Sequence, residues 1–170
     1  MKNFEQLIYT YKHRKILLFL AKKYFDNEKL LDKLKHHDMD KMYLLLFYKK
    51  KDIESYHRTM STHHDNELKK TELDYIEMVL DWESARYTKE DKPFNAYDTL
   101  CKFYPHLEDK IMPILAKIGL NKSTLEKEED VFEYAKTISN VTEEDIKEEL
   151  INYIKNIDNW KTVDKYKQLI

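Results

Sequence analysis

A single glycine, Gly119, in 170 residues limits what this chain can become more than any other feature. Loops that wrap phosphate in successive backbone N–H groups need several glycines at fixed offsets, and so does the dinucleotide fingerprint. This chain can build neither. Prolines number only three, so few residues interrupt regular structure, and apolar residues recur at helical spacing almost from end to end. No segment alternates with period two for long enough to argue a strand. The expected fold is all-α, a compact multi-helix bundle with a helical C-terminal extension.

Composition sets further bounds. The chain is 42% hydrophobic, enough for a substantial core, and the 13 tyrosines mostly belong to that core. Thirty basic residues against 32 acidic ones leave a net charge of −2. Bulk nucleic-acid binding is therefore not expected, because it needs a basic stripe, and Lys49-Lys50-Lys51 reads as a solvated helix end. The one cysteine, Cys101, excludes an internal disulfide and reads as a small buried hydrophobe between Leu100 and Phe103. Freedom from disulfides suits a reducing cytoplasm. The first residues lack a signal-peptide layout and no apolar run reaches membrane-spanning length, so no membrane partner is expected.

The pattern predicts a first helix over 5–24, with Ile8, Ile16, Leu17, Leu20 and Tyr24 along one stripe and His13 on it. Asp26 or Asn27 caps a second helix that ends near His37. Asp40 caps a third through Met42–Tyr48, apolar on nearly every side and expected at the centre. Residues 55–66 read as a short helix or ordered loop. Thr71 and Asp74 form a capping-box pattern for a helix reaching about Tyr87, and 88–95, with Pro93, is a loop. Helices follow over 96–104 and 107–118, the second closed by Gly119. Another begins at Ser123 or Thr124, and a last one opens with Thr142 and Asp145 and carries Ile146, Leu150, Tyr153, Ile154 and Ile157. The expected division is a site-bearing domain over 1–95 and a helical extension over 96–170 packed on the same core.

Six of the seven histidines fall between positions 13 and 64: His13, His36, His37, His57, His63 and His64. Asp38, Asp74, Glu77 and Asp81 interleave with them. His57 and His64 are seven apart, as are Asp74 and Asp81, so a helix would align each pair on one face. Imidazoles and carboxylates together suit a divalent ion: Mn, Fe, Co, Zn or Mg. His13 on an apolar stripe needs a partner, and a metal ion would satisfy it together with His37, Asp38 and Asp81. Each residue also has an ordinary reading. His13 can be a hydrogen-bonded core histidine, and His37-Asp38 a helix terminus. His57, His63 and His64 can be a polar loop, and Asp81 an exposed helix carboxylate. Glu77 and Asp74 read as groups that orient a histidine. Arginine is scarce, at Arg14, Arg58 and Arg86 only. Arg58, Arg86 and Lys41 are candidate phosphate contacts, against surface ion pairs as the alternative.

The order His13, His37-Asp38, Asp81, with gaps of 24 and 43 residues, resembles the HD-domain superfamily of metal-dependent phosphohydrolases. Closer still is the likeness to a family of small uncharacterised bacterial and phage proteins. That family carries His-Asp-x-Ser-Lys, then a His-His segment, then Glu-Met-x-x-Asp-Trp. Here these read His37-Asp38-Met39-Asp40-Lys41, His63-His64 before Asn66, and Glu77-Met78-Val79-Leu80-Asp81-Trp82, with Asp40 in place of Ser. The likeness covers roughly residues 10–100. It implies a helical fold and metal ligation by His13, His37, Asp38 and Asp81, aided by His63 or His64, and the additional His57, His63 and His64 resemble the extra histidines of two-metal members. It further implies hydrolysis of a nucleotide or other small phosphorylated molecule, with Asp38, Lys41, Arg58 and Arg86 in catalytic roles. Two alternatives stand beside it. One is a non-enzymatic helical binding protein, such as a phage or mobile-element accessory factor, presenting the acidic runs Glu126–Asp130 and Glu143–Asp145. The other is oxygen chemistry at a His-carboxylate iron site.

Overall fold

Nine α-helices appear among the described residues, which in this computed structural model are 3–155 and 164. They are α1 Phe4–Tyr24, α2 Glu28–Leu34, α3 Met39–Leu45, α4 Lys50–Met60, α5 Glu72–Thr88, α6 Ala96–Phe103, α7 Glu108–Lys117, α8 Glu129–Thr137 and α9 Glu143–Ile154, with a short 3₁₀ turn at Pro105–Leu107. Two long helices organise the bundle. α1 buries Leu7, Thr10, His13, Arg14, Leu17, Leu20 and Ala21, a stripe at three- and four-residue steps, and it packs along α5. α5 is buried on most sides, through Ile76, Met78, Val79 and Leu80 and also through the polar Asp74, Glu77, Glu83, Ser84 and Arg86. A central helix with that many buried polar groups must satisfy them internally.

The apolar core has two parts. One joins Ile16, Leu17 and Leu20 of α1 to α2, α5, α6, α7 and Val131 of α8. The other joins Leu7 of α1 to α3, Ile53 of α4 and Ile146, Leu150 and Tyr153 of α9. His13 and Arg14 sit on α1 where one core gives way to the other. Both cores combine residues from either side of position 95, so α6–α9 share the cores of the N-terminal helices. Ile157 lies outside the described residues.

Local chemistry accounts for the helix ends. Asn27 caps α2 through Leu30 N, Asn95 caps α6, and Thr71–Asp74 and Thr142–Asp145 both form reciprocal capping boxes. Gly119, at φ 76, takes the left-handed position after α7. Four expectations need correction. Asp38, not Asp40, precedes α3, and that helix ends at Leu45, leaving Phe47 56% exposed. Residues 50–60 form a full helix. No helix starts at Ser123 or Thr124: α8 begins at Glu129, because the carbonyls of Lys122, Thr124 and Glu126 are held by side chains of Asn95 and Arg86. Cys101 is exposed, since Leu100 is the residue that turns inward. Among the described residues, no helix is long and apolar enough to cross a membrane.

Candidate metal centre

Three helices and two connecting loops bring histidines and carboxylates to the seam between the cores. α1 supplies His13, the 35–38 turn supplies His37 and Asp38, and α4 supplies His57. The 61–70 loop supplies His63 and His64, and α5 supplies Glu77 and Asp81. Three overlapping sets have ligand atoms mutually within 4.8 Å: His57/His63/His64, His13/His37/Asp81 and His37/His63/Glu77. Neighbouring imidazoles lie 5.5 Å apart (His13–His37), 4.4 Å (His37–His63) and 4.3 Å (His63–His64), centroid to centroid.

Asp38 is central to the arrangement. Its backbone is left-handed, φ 56, a conformation that aspartate tolerates better than most residues. This turns its carboxylate back beneath α4, where Oδ1 lies 2.7 Å from His57 Nε2 and 3.5 Å from His63 Nε2. Lys41 Nζ stands 3.4 Å from Oδ2. His37 uses Nδ1 to meet Glu77 Oε1 at 2.9 Å. Its Nε2 is buried without a hydrogen-bond partner, 3.6 Å from Asp81 Oδ1 and 3.8 Å from Asp38 Oδ1. The Ser84 hydroxyl lies 2.9 Å from His13 Nδ1 and 3.0 Å from Asp81 O. His13 Nε2 donates to the ionised Asp81 Oδ1 at 2.7 Å. A buried imidazole nitrogen that makes no hydrogen bond, set between two carboxylates, is an arrangement a cation relieves. Metal-ligating imidazoles characteristically have the other ring nitrogen held, as Glu77 and Ser84 hold these. The residues present therefore fit a divalent ion.

Ionisation follows the same logic. Burial opposes charge on Asp38, Glu77 and Asp81, yet Lys41 and imidazoles beside Asp38, and imidazoles beside Glu77 and Asp81, hold all three well below the usual carboxylate range. Burial lowers His13, and burial together with cationic His63 pushes His64 down to about 3, so both remain neutral. Burial also pulls at His37 and His63, but neighbouring carboxylates outweigh it, raising His37 and taking His63 to about 10.

This gives a pH prediction. His63 faces Asp38 and Glu77, with His37, His57 and His64 beside it. A group whose folded pKa is raised contributes stability that is complete below its unfolded value and lost as pH rises through the folded one. Chelator-treated protein should therefore lose several degrees of thermal midpoint between pH 6.5 and about 10. A metal ion held by His63 would displace that proton and so bind more tightly as pH rises, and metal-loaded protein should gain on the apo form over the same window. Parallel melts in chelator and in added zinc check this, and an apo midpoint that climbs through the window contradicts it.

The centre forms the floor of a cleft of about 640 Å³, within the range of small-molecule sites. His13, Asp38, His57, His64 and Asp81 line the floor, and Lys41, Arg58, Lys89 and Lys92 bring positive charge to the walls. Trp82 stacks on Tyr104 at 4.8 Å on one side. The structure thus brings together His13, His37, Asp38, His63, His64 and Asp81, with Lys41 and Arg58 on the cleft. It does not bring Arg86. That guanidinium is 2% exposed, bound to Glu83 at 3.2 Å and to the carbonyls of Thr124 and Glu126. Five residues along a helix rotate a side chain by about 140°, which turns Arg86 away from the face of Asp81. His57 joins the centre although the seven-residue spacing to His64 misleads: α4 ends at Met60, and a turn rather than a shared helix face brings the two rings to 5.0 Å. Glu77 contacts two histidines, 2.9 Å from His37 and 3.4 Å from His63. No protein-family model, curated protein sequence or solved structure matches this chain.

Proposed function

We propose that this chain is a divalent-metal-dependent phosphohydrolase of the HD-domain kind, acting on a nucleotide or another small phosphate ester. The observation that carries the reading is the partnerless, buried His37 Nε2 between Asp38 and Asp81, beneath a cleft whose walls carry Lys41, Arg58, Lys89 and Lys92. His13, His37, Asp38 and Asp81 would hold one ion, and the His57/His63/His64 set offers a place for a second. When bound, such an ion supplies an acidified water and polarises the phosphoryl group. The protein's part is positioning and charge. Lys41, half-buried but kept cationic chiefly by Asp38 and Asp81 against its desolvation, presents a fixed positive charge on the wall beside Asp38. Arg58 at the mouth offers a planar fork suited to phosphate oxygens. Trp82, Tyr104, Phe94 and Phe103 give the remaining wall an aromatic surface.

Elemental analysis of the purified protein, followed by a panel of phosphate esters with the Mn-, Co-, Zn-, Fe- and Mg-loaded forms, tests the proposal. Release of inorganic phosphate by at least one metal form is expected. Metal uptake with no turnover on any ester would leave a non-enzymatic, metal-stabilised module instead. Arg58→Ala should lower kcat/KM by about 100-fold with metal content unchanged, and Arg58→Lys should restore only part of it, because an ammonium cannot bind bidentately.

A further inference from the structure

Arg14 follows His13 on α1 but faces away from the ions' floor, and it is 3% exposed. One Nη donates to the carbonyl of His37 and the other to the carbonyl of Lys35, the second at 3.0 Å. Both acceptors belong to the 35–38 turn, where the chain leaves α2 and enters the left-handed Asp38. A planar guanidinium that grips two carbonyls of one turn fixes the orientation of the peptide joining His37 to Asp38. That peptide decides where both ligand side chains point. The outer edge of Arg14 is held in turn by Glu149 of α9, with Oε1 at 2.9 Å and its other oxygen 2.9 Å from Lys15 Nζ. Burial opposes charge on Glu149, but Arg14 and Lys15 hold its carboxyl below the ordinary value. Glu149 stands 135 residues from Arg14 in the chain and does not line the cleft.

We infer that Arg14 and Glu149 are positioning residues for the metal ligands: Glu149 braces Arg14, and Arg14 holds the His37-Asp38 turn in its ligating geometry. α9 thereby belongs to the support of the centre rather than being only a cover for the second core. The inference rests on the metal-site reading above. Partners of this kind, lying outside the ligand set, typically govern metal affinity by about 10- to 100-fold.

The test uses the full chain and Co(II), whose visible absorption reports coordination geometry. Arg14→Lys, which cannot span two carbonyls, and Glu149→Ala should each weaken Co(II) binding about 10- to 100-fold and alter the spectrum. Glu149→Gln, which keeps an acceptor, should recover most of the affinity. Ile146→Ala is the control for mere loosening of α9, since Ile146 is fully buried on that helix in the second core and carries no polar group. It should lower the thermal midpoint while leaving Co(II) affinity and spectrum unchanged. If Ile146→Ala weakens Co(II) as much as Glu149→Ala does, or if both fork variants bind Co(II) like wild type, the positioning role is overturned and the metal reading stands. Failure of the wild-type chain to take up Co(II) overturns both.

Discussion

Replacing His37 and Asp38 together by alanine is expected to reduce bound metal to background and phosphate-ester turnover by more than about a thousandfold. Most of the helix content should survive. The pair contributes to the floor from both sides: His37 to Asp81 and Glu77, and Asp38 to His57, His63 and Lys41. Truncating both removes the atoms shared by two of the three candidate ligand sets and the carboxylate that links them to His57. Alanine at 38 must also adopt φ 56, which costs about 1–2 kcal/mol. Asp38→Asn avoids that strain, because asparagine tolerates the left-handed region, and it isolates the loss of charge. Circular dichroism reads the helices and elemental analysis reads the metal. A third readout is thermal stabilisation by added zinc or manganese, worth about 2.7 kcal/mol at a hundred times Kd in a competent site and absent from the variant. If Asp38→Asn retains full metal content and full metal-induced stabilisation, Asp38 is not a ligand and the proposed centre is wrong.

The second large effect falls on stability alone. Arg86→Ala should cost about 3–5 kcal/mol of unfolding free energy and leave metal affinity unchanged. Glu83 is 1% exposed, and burial keeps its pKa raised even beside Arg86. Its other oxygen accepts from Ala96 N at the start of α6. Removing the guanidinium strands that carboxylate and takes the donors from the carbonyls of Thr124 and Glu126, which hold the irregular stretch before α8. Replacing both members, with Glu83→Gln and Arg86→Met, should recover part of the loss, because no uncompensated charge then remains. Urea titration measures the difference. A loss below about 1 kcal/mol accompanied by collapse of turnover would instead return Arg86 to the reaction.

Comparing these two sites shows what kind of information a sequence carries. The capping boxes at Thr71 and Thr142 and the left-handed Gly119 were legible because their partners lie within four residues. The gathering of His13, His37, Asp38, His63, His64 and Asp81 was legible only as an order of residue types. Arg86 qualifies as a phosphate contact on residue type alone, and helical rotation turns it away from the face of Asp81 into an ion pair with Glu83. Arg14 is a charged residue on a buried stripe, which signals that a partner must exist. Nothing local named Glu149 as that partner.

The sequence by itself determined that the chain is helical, where most helices start and stop, and which stripes they bury, since these depend on contacts within a few residues and on periodicity. Only the tertiary structure decided that α1, the 35–38 turn, α4, the 61–70 loop and α5 meet at one seam, that His57 and Glu77 join them there, and that Arg86 turns away. Those outcomes depend on how helices cross and pack around two cores. The free energy that selects such a crossing is summed over the buried side chains of both cores, so no short stretch of chain encodes it.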